Sequence, residues 1–240
     1  MRAAFTFYPE NGNQLLKIPI DFRRHFISFV KTILSNTPFF HRFEIDKPGY
    51  SPYVFGVGFG RVIEKDRESD SIIVQPPVTM IFSTGFFDLL ADACNGAIAL
   101  KHRATILGLR LTGVNLLPFR KIRDKEACFR IVGHAVFRGE WDYIDASDQE
   151  CIEESINTHM QNRLIFFGQQ YGEQLPIVSG KVRLTEHSRL RKGVCHHYGG
   201  KLTTVQGNLT LSGDPGLLQF IYDFGINVRS GQGFGLTEVI

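Results

Sequence analysis

Gly225-Ile226-Asn227-Val228-Arg229-Ser230-Gly231-Gln232-Gly233-Phe234-Gly235-Leu236 is the stretch on which the fold turns. Four glycines, an arginine, a serine and a glutamine lie between a predicted helix and a predicted final strand. Dinucleotide folds put the glycines between a strand and a following helix, and the phosphate loop needs Gly-Lys-Ser/Thr opening a helix. Here the order is helix, glycines, strand, so neither fold is indicated. A loop with few side chains leaves room for a polyanion, and its N–H groups can point at phosphate oxygens. On spacing alone, a helix stop followed by a hairpin-like turn is the stronger reading.

Working backwards from this stretch, Asp214 reads as an N-cap with Pro215 at the first helical position and Gly225 as the stop. Val205, Gly207, Leu209 and Leu211 alternate with Thr204, Gln206, Asn208 and Thr210, as on a strand, and Val182 and Leu184 alternate with polar neighbours. Ser147 and Glu150 fit a capping box for a helix running to about Leu164. Cys128 to Phe137 reads as the strand before it, and Phe234 and Leu236 as the last strand.

The first half has the same rhythm. Ala3, Phe5 and Phe7 alternate on a strand. Phe22, Phe26, Phe29, Val30 and Ile33 form one stripe of a helix from about Asp21 to Ser35. Tyr53–Phe59 and Ile72–Phe82 read as strands, Gly85–Leu100 as a helix, and Thr105–Leu111 as a further strand. The order β-α-β-β-α-β occurs twice, which predicts an α+β chain of tandem ferredoxin-like (RRM-like) domains, 1–120 and 121–240. The boundary falls in the polar, aperiodic stretch Pro118–Glu126. Four-stranded sheets of this kind are a common RNA platform, although the aromatic signature of the RNA-recognition motif is absent.

The 240 residues are 43% apolar, include 21 phenylalanines and carry 21% charged residues, ample for packed cores. The sequence has no run of 18 apolar residues, so no membrane partner is expected. The N-terminus does not read as a secretory signal. Cys94, Cys128, Cys151 and Cys195 show no C-x-x-C spacing and read as reduced, mostly buried thiols of a cytoplasmic protein. The net charge of +3 permits an anionic partner without demanding one.

Charge gathers in Lys181, Arg183, His187, Arg189, Arg191, Lys192, His196, His197 and Lys201, with Glu186 the one acidic residue among them. Such an excess suits a phosphate backbone, and equally a solvated basic hairpin. Cys195-His196-His197 is a poor chelate, because neighbours on a strand point to opposite faces, so no metal site is expected. Lys31 and Arg24 lie on the solvent face of the first helix and His25 at the edge of its apolar stripe. His41 follows in a loop, with Tyr50 and Tyr53 soon after. A loop histidine near a lysine and a tyrosine suits general acid–base chemistry, although a lone loop histidine is more often plain surface.

The segment from His187 to Leu236 resembles the C-terminal half of the CRISPR repeat-RNA processing endoribonucleases. These form part of the repeat-associated, double ferredoxin-like superfamily. The matching residues are His187-Ser188-Arg189, Gly199-Gly200, the strand Leu202–Leu211, Asp214-Pro215 and the loop ending Gly231-Gln232-Gly233-Phe234-Gly235. Arg2 to Pro9, Ile18-Pro19 and a histidine after the first helix extend the likeness to the N-terminal half. The resemblance implies metal-independent cleavage without a cofactor, by attack of a ribose 2′-OH on the adjacent phosphate. Its catalytic positions fall on His41 for proton transfer, Lys31 for the charge on phosphorus, and Tyr50 to orient the phosphate or give a proton. In some members the helix residue is a tyrosine and a further lysine follows the histidine; here Lys47 is the only lysine soon after His41, and His25 is the reserve histidine. Repeat RNA would lie on Arg189, Arg191, Lys192, Arg229, Ser230, Gly231, Gln232, Gly233 and Gly235. Other CRISPR-associated effector subunits and a second copy of the chain are further partners consistent with the family. Some members only bind RNA, so a non-catalytic RNA-binding subunit is the second reading.

Overall fold

The computed structural model describes residues 1–12, 14–40, 49–66, 69–103, 105–171, 175 and 180–240. Its order is β1 (Arg2–Pro9), β2 (Leu16–Pro19), α1 (Arg23–Leu34), a helical turn α2 (Pro38–Phe40), β3 (Val54–Asp66), β4 (Ser71–Ser83), α3 (Phe87–Leu100), β5 (Thr105–Ile106) and β6 (Leu109–Leu116). Then come β7 (Glu126–Ile131), α4 (Gln149–Tyr171), β8 (Arg183–Leu184), β9 (Arg189–His197), β10 (Gly200–Ser212), α5 (Pro215–Phe224), a 3-10 turn (Ser230–Gln232) and β11 (Thr237–Val239). Among these residues no helix is long and apolar enough to cross a membrane.

Two antiparallel sheets result. In the first, β4 lies between β3 and β1, and β1 between β4 and β6; β2 extends the β1 side of β4. In the second, β7 lies between β11 and β10, with β9 and β8 along the other edge of β10. Leaving out the accessory strands β2, β5 and β8, each sheet has the spatial order fourth–first–third–second, as the double βαββαβ reading requires. The fold is tandem ferredoxin-like α+β.

The phenylalanine stripe of α1 lies on the first sheet as its spacing dictates. Phe26 meets Phe7 edge-on at 5.6 Å between ring centres and Phe29 meets Phe5 at 6.0 Å. α3 packs beside α1 so closely that a methyl group at Gly96 would overlap the Ile33 carbonyl. α5 is buried on most of its circumference, and its start is as expected: the Gly216 amide donates to the Asp214 carboxylate at 2.7 Å. Its last carbonyls face charged and hydroxyl donors from both halves. Arg2 donates to the Tyr222 carbonyl (2.7 Å), Ser83 to that of Asp223 (2.8 Å) and Arg163 to that of Phe224 (2.6 Å). Cations there meet the partial negative charge of the helix end.

Several boundaries differ from the sequence reading. The strand expected over 105–111 is two: β5 and β6 meet across a two-residue turn at Leu107-Gly108, and β6 runs on to Leu116 along β1. The helix expected from Ser147 starts at Gln149 and runs to Tyr171. Its cap is Asp148, which accepts the Cys151 amide at 3.0 Å, while Ser147 turns back to Asp145. The strand expected over 128–137 stops at Ile131, because the tail is inserted there: Val132 donates to Leu236 and Gly235 to His134, each at 2.8 Å. Phe234 and Leu236 therefore lie fully buried ahead of β11 and not within it.

Candidate nucleic-acid interface

The glycine-rich tail forms the seam between the two sheets. On one side it faces the entry to β3: Gly231 abuts Ser51, and Gly56 abuts Leu236. On the other it follows residues 132–136, with Val228 donating to the Val136 carbonyl. Gly233 shows why the stretch must be glycine: its φ is +81°, and a Cβ would stand 2.8 Å from the Phe55 ring. Asn227, Ser230, Gly233, Phe234 and Gly235 are buried, and the tail meets solvent only at Val228, Arg229, Gly231 and Gln232. Gln232 and Gly233 donate back to Arg229 and Ser230. The Ser230 and Gly231 amides, which open the turn, make no backbone hydrogen bond among the described residues.

Polar side chains clasp the tail. Arg229 donates to Gln232 Oε1 (2.7 Å) and to the Tyr143 hydroxyl (2.6 Å). His197 Nε2 is 3.1 Å from Gln232 Oε1, and its Nδ1 lies 3.6 Å from Asp21, which also accepts the Tyr198 amide. Burial lowers the His197 pKa, against the Gln232 hydrogen bond and the Asp21 charge. At 4% exposure and edge-on to Phe234, His197 acts as part of the clasp. Arg23, the first residue of α1, is buried and donates to the Gly233 carbonyl (3.2 Å) and the Cys195 thiol (3.0 Å). It and His197 are the tail partners that sequence reasoning missed.

The basic strand divides by face. Arg189 and Arg191 are exposed on the parity of Cys195 and His197. Arg191 and Arg23 are among the cations that, after burial itself, press the His134 pKa down to about 4. Lys192 points the other way and pairs with Asp145 at 2.6 Å. Lys192 and Arg229 thus reach the same short segment, Tyr143–Asp145, whereas Arg189 folds onto its own turn through the Glu186 and Ser188 carbonyls. Arg189 lies eight residues from His197, about 26 Å along the strand.

His41 and Lys47 lie outside the described residues. Lys31 is exposed in the last turn of α1, about 12 Å along the axis from Arg23. His25 is half-buried, with its pKa lowered by burial and then by Arg24. Tyr50 is turned to α4, its ring 5.2 Å from that of His159 and 5.7 Å from that of Phe166. It borders a cleft of about 540 Å³ between α4 and the 138–144 hairpin. His159 could have been noticed from its spacing with Ser155 and Asn162 on one helix face. Among the described residues no group of histidines, cysteines and carboxylates could hold a metal ion. Cys94 and Cys195 are buried, Cys128 is half-buried, and Cys151 is exposed.

Two βαββαβ units joined along a glycine-rich tail define a tandem ferredoxin-like protein. Residues 130–239 match the family described as "CRISPR associated protein Cas6, C-terminal". The resemblance drawn from the tail and the basic strand stands at that level. A comparison with curated proteins finds no match at the level of sequence. Among solved structures, the chain is similar over its whole length to one described as "Characterization of a Cas6-related gene from Pyrococcus furiosus", with TM-score 0.78, 14% identity and 98% of that chain covered. It is similar in the same way to "An RAMP protein binding different RNA substrates" (0.73, 14%, 99%). A Cas6 product complex follows (0.65, 14%, 99%). At these identities the likeness is one of fold.

Proposed function

We propose that the chain binds CRISPR repeat RNA and cuts it without a metal ion. The ribose 2′-OH attacks the adjacent phosphorus in line, leaving a 2′,3′-cyclic phosphate and a 5′-OH. One observation carries the reading: within the stretch that matches the Cas6 C-terminal family, the tail brings Arg229, Gly231 and Gln232 partly to the surface beside the basic strand β9. Arg189, Arg191 and Lys192 add positive charge for the strand to follow. The buried glycines Gly233 and Gly235, with Ser230, shape the tail and leave the contacts to the three half-buried residues. His41 takes and returns the proton, and Lys31 offsets charge on the phosphorane. Tyr50, directed at α4, positions the strand.

The alternative, a non-catalytic RNA-binding subunit, gains from one placement: Tyr50 packs on His159 and Phe166 of α4. The deciding experiment is incubation with the cognate repeat RNA in EDTA. A single cut is expected, falling by about 100-fold or more in His41→Ala while binding stays within about twofold. Binding with no cut by the unmodified chain sinks the enzyme reading. Full activity in His41→Ala moves the proton work elsewhere.

A further inference from the structure

The cleft beside α4 has features that the proposed chemistry does not use. Its floor is a polar stripe of α4 that includes Cys151, Glu154, Ser155, His159 and Asn162. One wall is the 138–144 hairpin, fixed to the helix because Ser155 Oγ donates to the Arg138 carbonyl (3.0 Å) and accepts its amide (3.2 Å). Tyr50 and Val228 complete the lining, Val228 on the side of the tail. Within this lining His159 is 7% exposed, and its Nε2 has no hydrogen-bond partner among the described residues. Burial, and then the charge of Arg163, push its pKa down to about 3, so the ring is neutral at physiological pH.

The lining selects its occupant. Glu140 and Glu154 border the cleft and disfavour a phosphate deep inside, while Arg138 is the one cation in the lining that suits a phosphate. The Tyr50 ring offers a face for stacking. About 540 Å³ admits one nucleotide and excludes a duplex. A carboxylate can accept two adjacent donors at once, and guanine alone presents them, the N1 imino and N2 amino groups, on its pairing edge. The cleft meets the tail at Val228, next to Arg229, so a strand held by the tail passes its mouth.

We propose that this cleft takes one unstacked guanine of the bound RNA, with Glu154 on its donor edge and Tyr50 against its face. This rests on the RNA-binding reading above. The chain's single tryptophan, Trp141, is 88% exposed on the same 138–144 hairpin, and its fluorescence is followed alongside calorimetry, which reads binding directly. The full chain is titrated separately with GMP, AMP, CMP and UMP. GMP should bind at about tenfold lower concentration than the others. Glu154 is exposed, so Glu154→Gln should keep the fold, and that variant should bring GMP to the level of UMP. Binding of an oligouridylate at low salt is measured in parallel and should survive the substitution. Equal responses to GMP and UMP, or a preference that survives Glu154→Gln, overturn the proposal. Oligouridylate binding without a guanine preference sinks the cleft alone. A guanine preference without RNA binding overturns its assignment to RNA, and loss of both sinks the RNA reading as well.

Discussion

Arg163 is among the largest fully buried side chains, and no carboxylate pairs with it among the described residues. Its partners are the carbonyls of Gly225 (3.0 Å) and Phe224 (2.6 Å), with that of Ser51 at 3.4 Å, and the rings of Phe167, Phe220 and Phe224 surround it. Burial brings its pKa down to about 9, so it stays charged at physiological pH. The side chain holds the point where α5 gives way to the tail. Arg163→Met leaves two buried carbonyls without a donor and should cost about 3 kcal/mol. The urea midpoint should fall with the slope unchanged. Arg163→Lys should recover little, since a single ammonium cannot span the same carbonyls. Nothing in the sequence marks this arginine, whose hydrogen bonds reach 61 to 112 residues away. Arg23 escaped notice for the same reason. Arg229 and Gln232 were legible because the glycines around them flagged the segment.

Among the elements, those whose neighbours in space are also regular were readable from period and cap alone. α1 shows one apolar stripe because a single sheet receives it, and α5 carries its stop and start signals in Asp214, Pro215 and Gly225. α4 shows its stripe less plainly: Ile152, Ile156, Met160 and Phe167 face the core with the buried Arg163 among them, while a polar row lines a cleft. β7 was read too long because Val132–Val136 pairs with the tail, an extended partner that no local pattern announces. The contact of α1 with α3 tests how tightly the first half is set. A methyl at Gly96 meets the Ile33 backbone, which cannot yield as a side-chain tip can. Gly96→Ala would add about 1 kcal/mol of helix propensity on an exposed site. Here it should instead lower stability by about 2–3 kcal/mol through forced separation of the helices. A rise in thermal midpoint would show that the helices part at no cost.

At the scale of the whole molecule, the net charge of +3 is too small to draw RNA by itself, so placement of the basic residues must do so. Arg189, Arg191 and Arg229, each on one phosphate, give a log–log salt slope of about −2, at about 0.7 per single-strand contact. A rise from 50 to 200 mM salt should then weaken repeat-RNA binding by about 20-fold. A flat response contradicts the basic groove. Lys192 offers a sharper test because Asp145 already holds it at 2.6 Å on an exposed surface. Such a pair adds about 0–1 kcal/mol to stability, yet RNA must break it before Lys192 can serve a phosphate. Asp145→Asn removes that competition with little effect on folding. RNA should bind the variant about two- to fivefold more tightly, with a salt slope steeper by up to about 0.7. In a Lys192→Ala background the same substitution should leave the slope unchanged, since the cycle isolates the pair from the loss of one negative charge. If Asp145→Asn steepens the slope equally with and without Lys192, the lysine does not touch the RNA and the groove runs along the opposite face of β9, where Arg189 and Arg191 stand.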